Sequence, residues 1–340
     1  NVNPARQRAI VVLGPGRCGT STIARGLIAL GIEFGNRLKP AARKNPRGFF
    51  EDLDLLRVNY EAHARLGLRR NGSSVSWLQE DTWRHGDLAP LQAQARQVIR
   101  RRFGHSPLWG CKIGGMMRIL PFWSQVLEAE QQDVTYVLAI RHPASVARSR
   151  AKLDPYRAIP EKSDLEFAAQ ILPFAAEMAR RPTLVVDYDQ VIADPRRELR
   201  RIAGRLSLPV TGIVEGGIDA YAGGFVHAGL RHSHGGEHGE AILPLTWRLY
   251  QRLRTLAVDA ATMDDLAVRQ DLSDLAAEFK AMAPMLRLVD ELEDRLRRRG
   301  PSLRSLFLTA YSHLPTPATF GGLFAPASAT QPRPRDVTRP

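Results

Sequence analysis

Ala9-Ile10-Val11-Val12-Leu13-Gly14-Pro15-Gly16-Arg17-Cys18-Gly19-Thr20-Ser21-Thr22 decides the fold. An apolar run, Ala9 to Leu13, ends in a glycine-rich turn. A segment from Thr22 to Leu30 follows at once and places Ile23, Leu27 and Leu30 on one side. The pattern predicts strand, phosphate loop and helix. Backbone N–H groups in such a loop converge on an anion at the positive end of the helix. Gly14 and Gly19 have the spacing of the nucleotide-triphosphate loop G-x-x-x-x-G-K-[ST], but Thr20 stands at the lysine position. That lysine meets the β- and γ-phosphates, so its loss argues against a kinase or ATPase. The basic residue here is Arg17, two places before the second glycine.

Further strands are predicted at Leu108–Ile113, Val134–Ile140 and Thr183–Tyr188. Helices are predicted at Leu53–Leu66, Leu88–Phe103, Ile119–Glu130, Ser163–Arg180 and Pro195–Leu206. Strands alternating with helices imply α/β. The expected fold is a P-loop-type three-layer arrangement, a largely parallel sheet flanked by helices, plus a C-terminal helical extension. We assign residues 1–245 to the nucleotide-binding domain, 246–300 to the extension, and 301–340 to a Pro-, Ser- and Thr-rich tail expected to be disordered.

The strand Val134–Ile140 runs directly into Arg141-His142-Pro143-Ala144-Ser145-Val146-Ala147-Arg148-Ser149. Pro143 suits the first turn of a helix. Arg141 therefore lies at the carboxyl end of a strand, where open α/β sheets bind their ligands. Arg17 lies at the end of another.

The two motifs together resemble those of the PAPS-dependent sulfotransferases. Arg17-Cys18-Gly19-Thr20-Ser21 is similar to that family's 5'-phosphosulfate loop, [KR]-x-G-[ST]-[ST]. Arg141 and Ser149 are similar to its 3'-phosphate segment, an arginine with a serine eight residues later. The motifs come in the family's order, about 120 residues apart, and the resemblance spans roughly Ile10 to Arg231. Asn45-Pro46-Arg47-Gly48-Phe49-Phe50-Glu51 between them resembles the bacterial, carbohydrate-type branch.

The resemblance implies a donor, 3'-phosphoadenosine 5'-phosphosulfate (PAPS), and in-line transfer of its sulfuryl group to an acceptor hydroxyl with no metal required. Arg17, Cys18, Gly19, Thr20 and Ser21 would cradle the 5'-phosphate. Arg141 and Ser149 would hold the 3'-phosphate. Leu230-Arg231-His232, in a late glycine-rich loop, adds Arg231 to that group. Where the animal cytosolic enzymes carry a lysine-x-histidine segment, this chain has Lys112-Ile113-Gly114, so the basic histidine is missing. Glu51 is then the expected base, with Asp54 and His85 behind it, and Lys112 the expected stabiliser of the moving group. Glu51 and Asp52 also read as an ordinary helix start, where the dipole favours a carboxylate. The resemblance implies a glycan, glycolipid or lipid-linked saccharide as acceptor.

Composition restricts the alternatives. The chain has 340 residues and a net charge of +13, which suits an anionic ligand or surface. Much of the excess is arginine in helical runs, which reads as solvated surface, and no nucleic-acid partner is expected. Two cysteines, Cys18 and Cys111, make no disulfide framework and point to a reducing cytoplasm, at the inner face of the membrane if the acceptor is lipid-linked. His227, His232, His234 and His238 invite a metal reading, but no acidic or cysteine ligand sits at a usual zinc spacing. The irregular stretch Leu68–Asp87 holds Trp77 and Trp83, as an acceptor-side loop or as a surface excursion with two anchoring aromatics. Leu275, Phe279, Met282, Leu286 and Val289 form a heptad-like seam interrupted by Pro284. It either packs back on the catalytic domain or forms a homodimer. Leu303–Leu308 with the arginines before it is a candidate contact with an anionic membrane. A P-loop small-molecule kinase and a non-catalytic nucleotide- or polyanion-binding protein are the competing readings.

Overall fold

The computed structural model describes residues 6–43, 45–78, 80–83, 88–153, 157–226 and 242–298. Four strands, β1 (Arg8–Leu13), β2 (Leu108–Lys112), β3 (Asp133–Ile140) and β4 (Thr183–Asp187), form one sheet in the order β2-β1-β3-β4. Every pairing is parallel, with Val11 beside Cys111 on one side and Tyr136 on the other. Ala9 to Leu13 are all buried. Successive residues of a strand face opposite sides, so both faces of β1 are covered, and a strand apolar throughout is what such burial selects.

The covering helices are α1 (Thr20–Ala29), α2 (Leu53–Arg65), α3 (Ala89–Phe103), α4 (Leu120–Ala129), α5 (Pro143–Ala151), α6 (Pro160–Ile171), α7 (Ala175–Met178), α8 (Tyr188–Ala193), α9 (Pro195–Arg205), α10 (Gly212–Ala220), α11 (Pro244–Ala257), α12 (Leu266–Ala281) and α13 (Ala283–Arg298). The α/β expectation holds, and β1–β4 lie within a residue of the expected strands. The predicted helix 163–180 is corrected. It is α6, a short 3-10 turn at Leu172–Phe174, and α7. Pro173 removes one backbone donor and its ring crowds the preceding turn, so a single helix cannot run through it.

The sheet order fixes where a ligand can sit. The chain leaves β1 for β2 on one side, then crosses back to β3 on the other. The crevice between the carboxyl ends of β1 and β3 is thus the topological switch point, the binding position of open α/β sheets. The loop carrying Arg17 follows β1, and Arg141 follows β3.

The expected boundary at residue 245 falls inside α11. That helix packs on β4, α5 and α6, and Leu249, Leu253 and Ala257 are fully buried. The heptad-like seam divides into α12 and α13, which meet at Met282. Leu275, Phe279 and Leu286 from it are buried in the common core. Trp77 packs against Phe279, with ring centroids 6.3 Å apart, and Trp83 against Phe174 at 6.3 Å. Both tryptophans thus have an anchoring role. The tail 301–340 lies outside the described residues.

Asp187 ends β4 and accepts from the backbone N–H of Asp189 at 2.9 Å, starting α8. Burial, with the nearby Asp189 charge, pushes its carboxyl up to about 6 from 3.8. A carboxyl that binds its proton more tightly when folded contributes stability below about pH 4, and that contribution is lost as pH rises through about 6. Asp187→Asn keeps the cap acceptor without the charge. The variant is expected to be more stable than wild type at pH 8, by about 1–3 kcal/mol in urea unfolding. The gain should vanish at pH 4, and a gain of equal size at both pH values would contradict this account.

Candidate functional site

The loop between β1 and α1 is shaped by its glycines. Gly19 has φ +80°, and a Cβ there would stand 2.0 Å from the Tyr188 ring. Gly14 has φ +144°, and its Cβ would meet the Ala139 carbonyl at 2.6 Å. Neither position tolerates a side chain, because the conformation and the close neighbours both exclude one. Arg17 also takes a left-handed conformation, φ 77°, which is unusual for a long side chain and locates strain in the loop. Its Nε donates to Ser149 Oγ on α5 at 2.9 Å. This bond joins the two sequence motifs directly. Arg141 lies over the Tyr188 ring at 4.5 Å and faces Asp189 at 3.7 Å. Tyr188 therefore touches the loop at Gly19 and carries Arg141 on its face. Burial, then the charges of Arg141 and Arg157, hold the Arg17 guanidinium below its ordinary value. A site that crowds cations in this way is arranged for anions.

A second support comes from the segment before α2. Asn45 Nδ2 donates to Ser21 Oγ at 3.0 Å, and Gly48 and Phe50 have φ of 99° and 54°. The resulting turn sends the Phe49 carbonyl inward, where it accepts from Lys112 Nζ at 3.2 Å and from Ser21 Oγ at 3.5 Å. Glu51 is buried. Its Oε1 accepts from Lys112 Nζ at 2.7 Å and from the Gly114 N–H at 2.9 Å, and Oε2 faces Lys39 Nζ at 3.4 Å. Asp52, not Glu51, caps α2 by accepting from Asp54 N and Leu55 N. Burial pulls the Glu51 carboxyl up, but the charges and hydrogen bonds of Lys112 and Lys39 outweigh it, and the group rests below its ordinary value. Burial draws the Lys112 ammonium down, opposed by Glu51. Asp54 is bound by Arg37 at 3.0 Å and Arg101 at 3.3 Å, so it is engaged away from the loop.

Beneath the loop is a cluster that sequence reading missed. Glu166 is fully buried. It faces Arg150 at 3.3 Å and Lys162 at 3.3 Å, and it binds Arg157. Arg150 in turn donates to the Gly16 carbonyl at 3.2 Å, and an Arg157 nitrogen lies 4.0 Å from where a Gly16 Cβ would be. Lys162 also faces Glu293 of α13 at 3.0 Å. A chain of ion pairs thus runs from the last described helix to the phosphate loop.

The structure brings Arg17, Cys18, Gly19, Thr20, Ser21, Arg141, Ser149, Lys112 and Glu51 to one end of the sheet. Arg231, His85 and the four loop histidines lie outside the described residues. Cys18 and Cys111 are both free and buried, and burial pushes each thiol up to about 12, which keeps them neutral. Among the described residues no group of His, Cys, Asp and Glu is disposed to hold a metal. Lys39, Arg150, Arg157 and Tyr188 were not singled out from sequence. Lys39 alone had a signal, the basic stretch ahead of Glu51, while the others depend on which elements the fold brings together.

No protein-family profile matches the chain, and no curated protein matches it. Among solved structures the chain is similar to the sulfotransferase STF1 of Mycobacterium tuberculosis H37Rv, at 15% identity, covering 64% of this chain and 72% of that one, TM-score 0.39. It is similar to the sulfotransferase STF9 of Mycobacterium avium at 16% identity, covering 81% and 76%, TM-score 0.40. It is also similar to the sulfotransferase domain of the Synechococcus PCC 7002 olefin synthase at 16% identity, covering 80% and 94%, TM-score 0.35. At this distance the functional reading rests on this chain's own residues.

Glu166→Gln keeps the shape of the cluster but leaves three cations sharing a neutral partner. Breaking a buried ion pair from one side costs about 3–5 kcal/mol. Urea unfolding of the variant is expected to show a loss of that order, and a change below about 0.5 kcal/mol would mean the cluster contributes nothing to holding the loop.

Proposed function

We propose that the chain is a PAPS-dependent sulfotransferase acting on an acceptor hydroxyl, in a glycan, glycolipid or lipid-linked saccharide. The observation that carries this reading is the Arg17–Ser149 hydrogen bond at 2.9 Å beside Arg141 at the switch point. Two motifs distant in sequence meet in one crevice, which supports a donor with phosphates at the 3' and 5' positions of one ribose. The residues fit such a donor. The loop has no room for side chains at Gly14 and Gly19, so its backbone N–H groups can approach a phosphate closely. Thr20 in the place of the Walker lysine disfavours the kinase reading.

When bound, PAPS supplies an activated sulfuryl group on a phosphate leaving group. In the transfer, a bond forms from acceptor oxygen to sulfur as the bond from sulfur to the 5'-phosphate oxygen breaks, and the acceptor proton must leave. Arg17 and the N–H groups of Cys18 to Thr20 neutralise the phosphate that departs. Arg141 and Ser149, with Arg231, would hold the 3'-phosphate, for which a planar guanidinium is suited. Lys112 stabilises charge on the moving sulfuryl oxygens. Glu51 is ionised at neutral pH and accepts the proton. Two lysines lower its basicity at rest. With an anionic donor bound beside Lys112 and Lys39, Glu51 would regain proton affinity when the base is needed. The acceptor reading follows from the basic charge and the resemblance. The protein is expected to act in the cytoplasm, at the inner membrane face when the acceptor is lipid-linked. No described helix is long and apolar enough to cross a membrane. A homodimer would use the exposed apolar side of α13, Met285, Leu288, Leu292 and Leu296.

Calorimetric titration tests the reading. Adenosine 3',5'-bisphosphate is expected to bind without Mg²⁺ and ATP to bind at least about tenfold more weakly, a difference of about 1.4 kcal/mol. The reverse order would support the kinase. In Glu51→Gln, bisphosphate affinity should hold within about twofold while transfer falls about a hundredfold or more. Unchanged transfer removes Glu51 from the proton step.

A further inference from the structure

A groove of about 490 Å³ runs along the outer side of α2, lined by Arg37, Leu53, Leu56, Arg57, Tyr60, Glu61, Ala64 and Arg70. Its volume is that of a small-molecule site. Backbone contacts tie both ends to the segments that carry the Glu51–Lys112 pair. At one end Leu53 N donates to the Arg37 carbonyl at 2.9 Å, and Lys39 N to the Glu51 carbonyl at 2.7 Å, so the lining residues Arg37 and Leu53 are each two residues along the chain from Lys39 and Glu51. At the other end a Cβ on Gly115 would stand 3.3 Å from the Arg70 carbonyl, and the adjacent Gly114 N–H is the one that binds Glu51 Oε1.

The charges in the groove are unequal in their engagement. Glu61 is paired with Arg65 at 2.9 Å. Arg37 is paired with Asp54, which Arg101 also neutralises. Arg57 and Arg70 have no carboxylate partner among the described residues. The Arg70 guanidinium lies over the Tyr60 ring at 5.8 Å, which orients it while leaving its N–H groups for a ligand. Leu53, Leu56 and Ala64 add apolar lining to the same groove. Two unpaired guanidiniums and an apolar lining in one groove fit one chemistry, an anionic head joined to an apolar chain.

We infer that this groove binds the acceptor, and that the acceptor is an amphiphilic phosphate ester, its phosphate on Arg57 and Arg70 and its apolar part on Leu53, Leu56 and Ala64. The inference rests on the sulfotransferase reading for the word acceptor, but not for the binding itself. It narrows the substrate class to acceptors that already carry a negative charge beside an apolar part. The reaction that supplies such a substrate must be one that attaches a phosphate to an apolar alcohol or to a sugar linked to one.

The full chain, titrated with n-octyl phosphate and separately with n-octyl glucoside, tests this. The two probes share the apolar chain and differ in charge. Octyl phosphate is expected to bind wild type at least about tenfold more tightly than the glucoside, and to lose about tenfold or more in Arg57→Ala/Arg70→Ala. Both residues are surface arginines outside the donor site, so adenosine 3',5'-bisphosphate should bind wild type and variant alike. Bisphosphate at saturation should also leave octyl phosphate binding unchanged, since the phosphate loop is then filled. Equal binding of the two probes, or of wild type and variant, would overturn the inference. So would an arginine-dependent loss of binding to phosphatidylglycerol vesicles with no binding of octyl phosphate, which would mean a membrane surface is what these arginines meet. If bisphosphate fails to bind while octyl phosphate behaves as expected, the groove stands and the sulfotransferase reading falls.

Discussion

Six cationic side chains, Arg17, Lys39, Lys112, Arg141, Arg150 and Arg157, converge around the phosphate loop and the carboxyl ends of β2 and β3. In a folded interior they repel one another, and the Arg17 guanidinium is held down partly for that reason. Two buried carboxylates make the arrangement possible. Glu51 binds Lys112 and Lys39 on one side of the loop, and Glu166 binds Arg150, Arg157 and Lys162 below it. Neither glutamate could stay buried and charged without those partners. The balance leaves Arg17 on Ser149 and Arg141 over the Tyr188 ring at the crevice between β1 and β3.

The same carboxylate logic ties the last described helix to the cluster beneath the loop. Arg69 binds Asp290, Glu293 and Asp294 of α13, and Asp290 also accepts from the backbone of Val75 and Ser76. Glu293 reaches Lys162, which touches Glu166, which holds Arg150 on the Gly16 carbonyl. The helix therefore docks through its acidic side and leaves Met285, Leu288, Leu292 and Leu296 exposed. Hydrophobic spacing alone left docking and dimerisation both open, because a heptad-like seam says nothing about a competing set of ion pairs.

What could be read from the chain was what depends on neighbours in sequence. The apolar run into Gly14 dictates strand and loop, and Arg141 with Ser149 eight residues on dictates a strand end and a helix face. Pro173 was visible as well, yet its break in the helix was overlooked, since the apolar spacing continues across it. Glu166 and Arg150 were not legible. A glutamate within a helix normally reads as solvated surface, and only the packing of α5 on α6 turns it inward. Arg57 and Arg70 were silent for a similar reason, lying on different elements that the fold sets along one groove. Arg231 and His85, chosen from sequence, lie outside the described residues.

The central claim is that the loop and Arg141 divide one nucleotide between them. Comparison of adenosine 3',5'-bisphosphate with adenosine 5'-phosphate, on wild type and on Arg141→Ala, tests it most directly. The account predicts that losing the 3'-phosphate weakens wild-type binding about tenfold to a hundredfold, that Arg141→Ala weakens bisphosphate binding by a similar factor, and that adenosine 5'-phosphate binds both proteins equally within about twofold. An Arg141→Ala variant that loses affinity for both nucleotides to the same degree would contradict it, because Arg141 would then not be reading the 3'-phosphate at all.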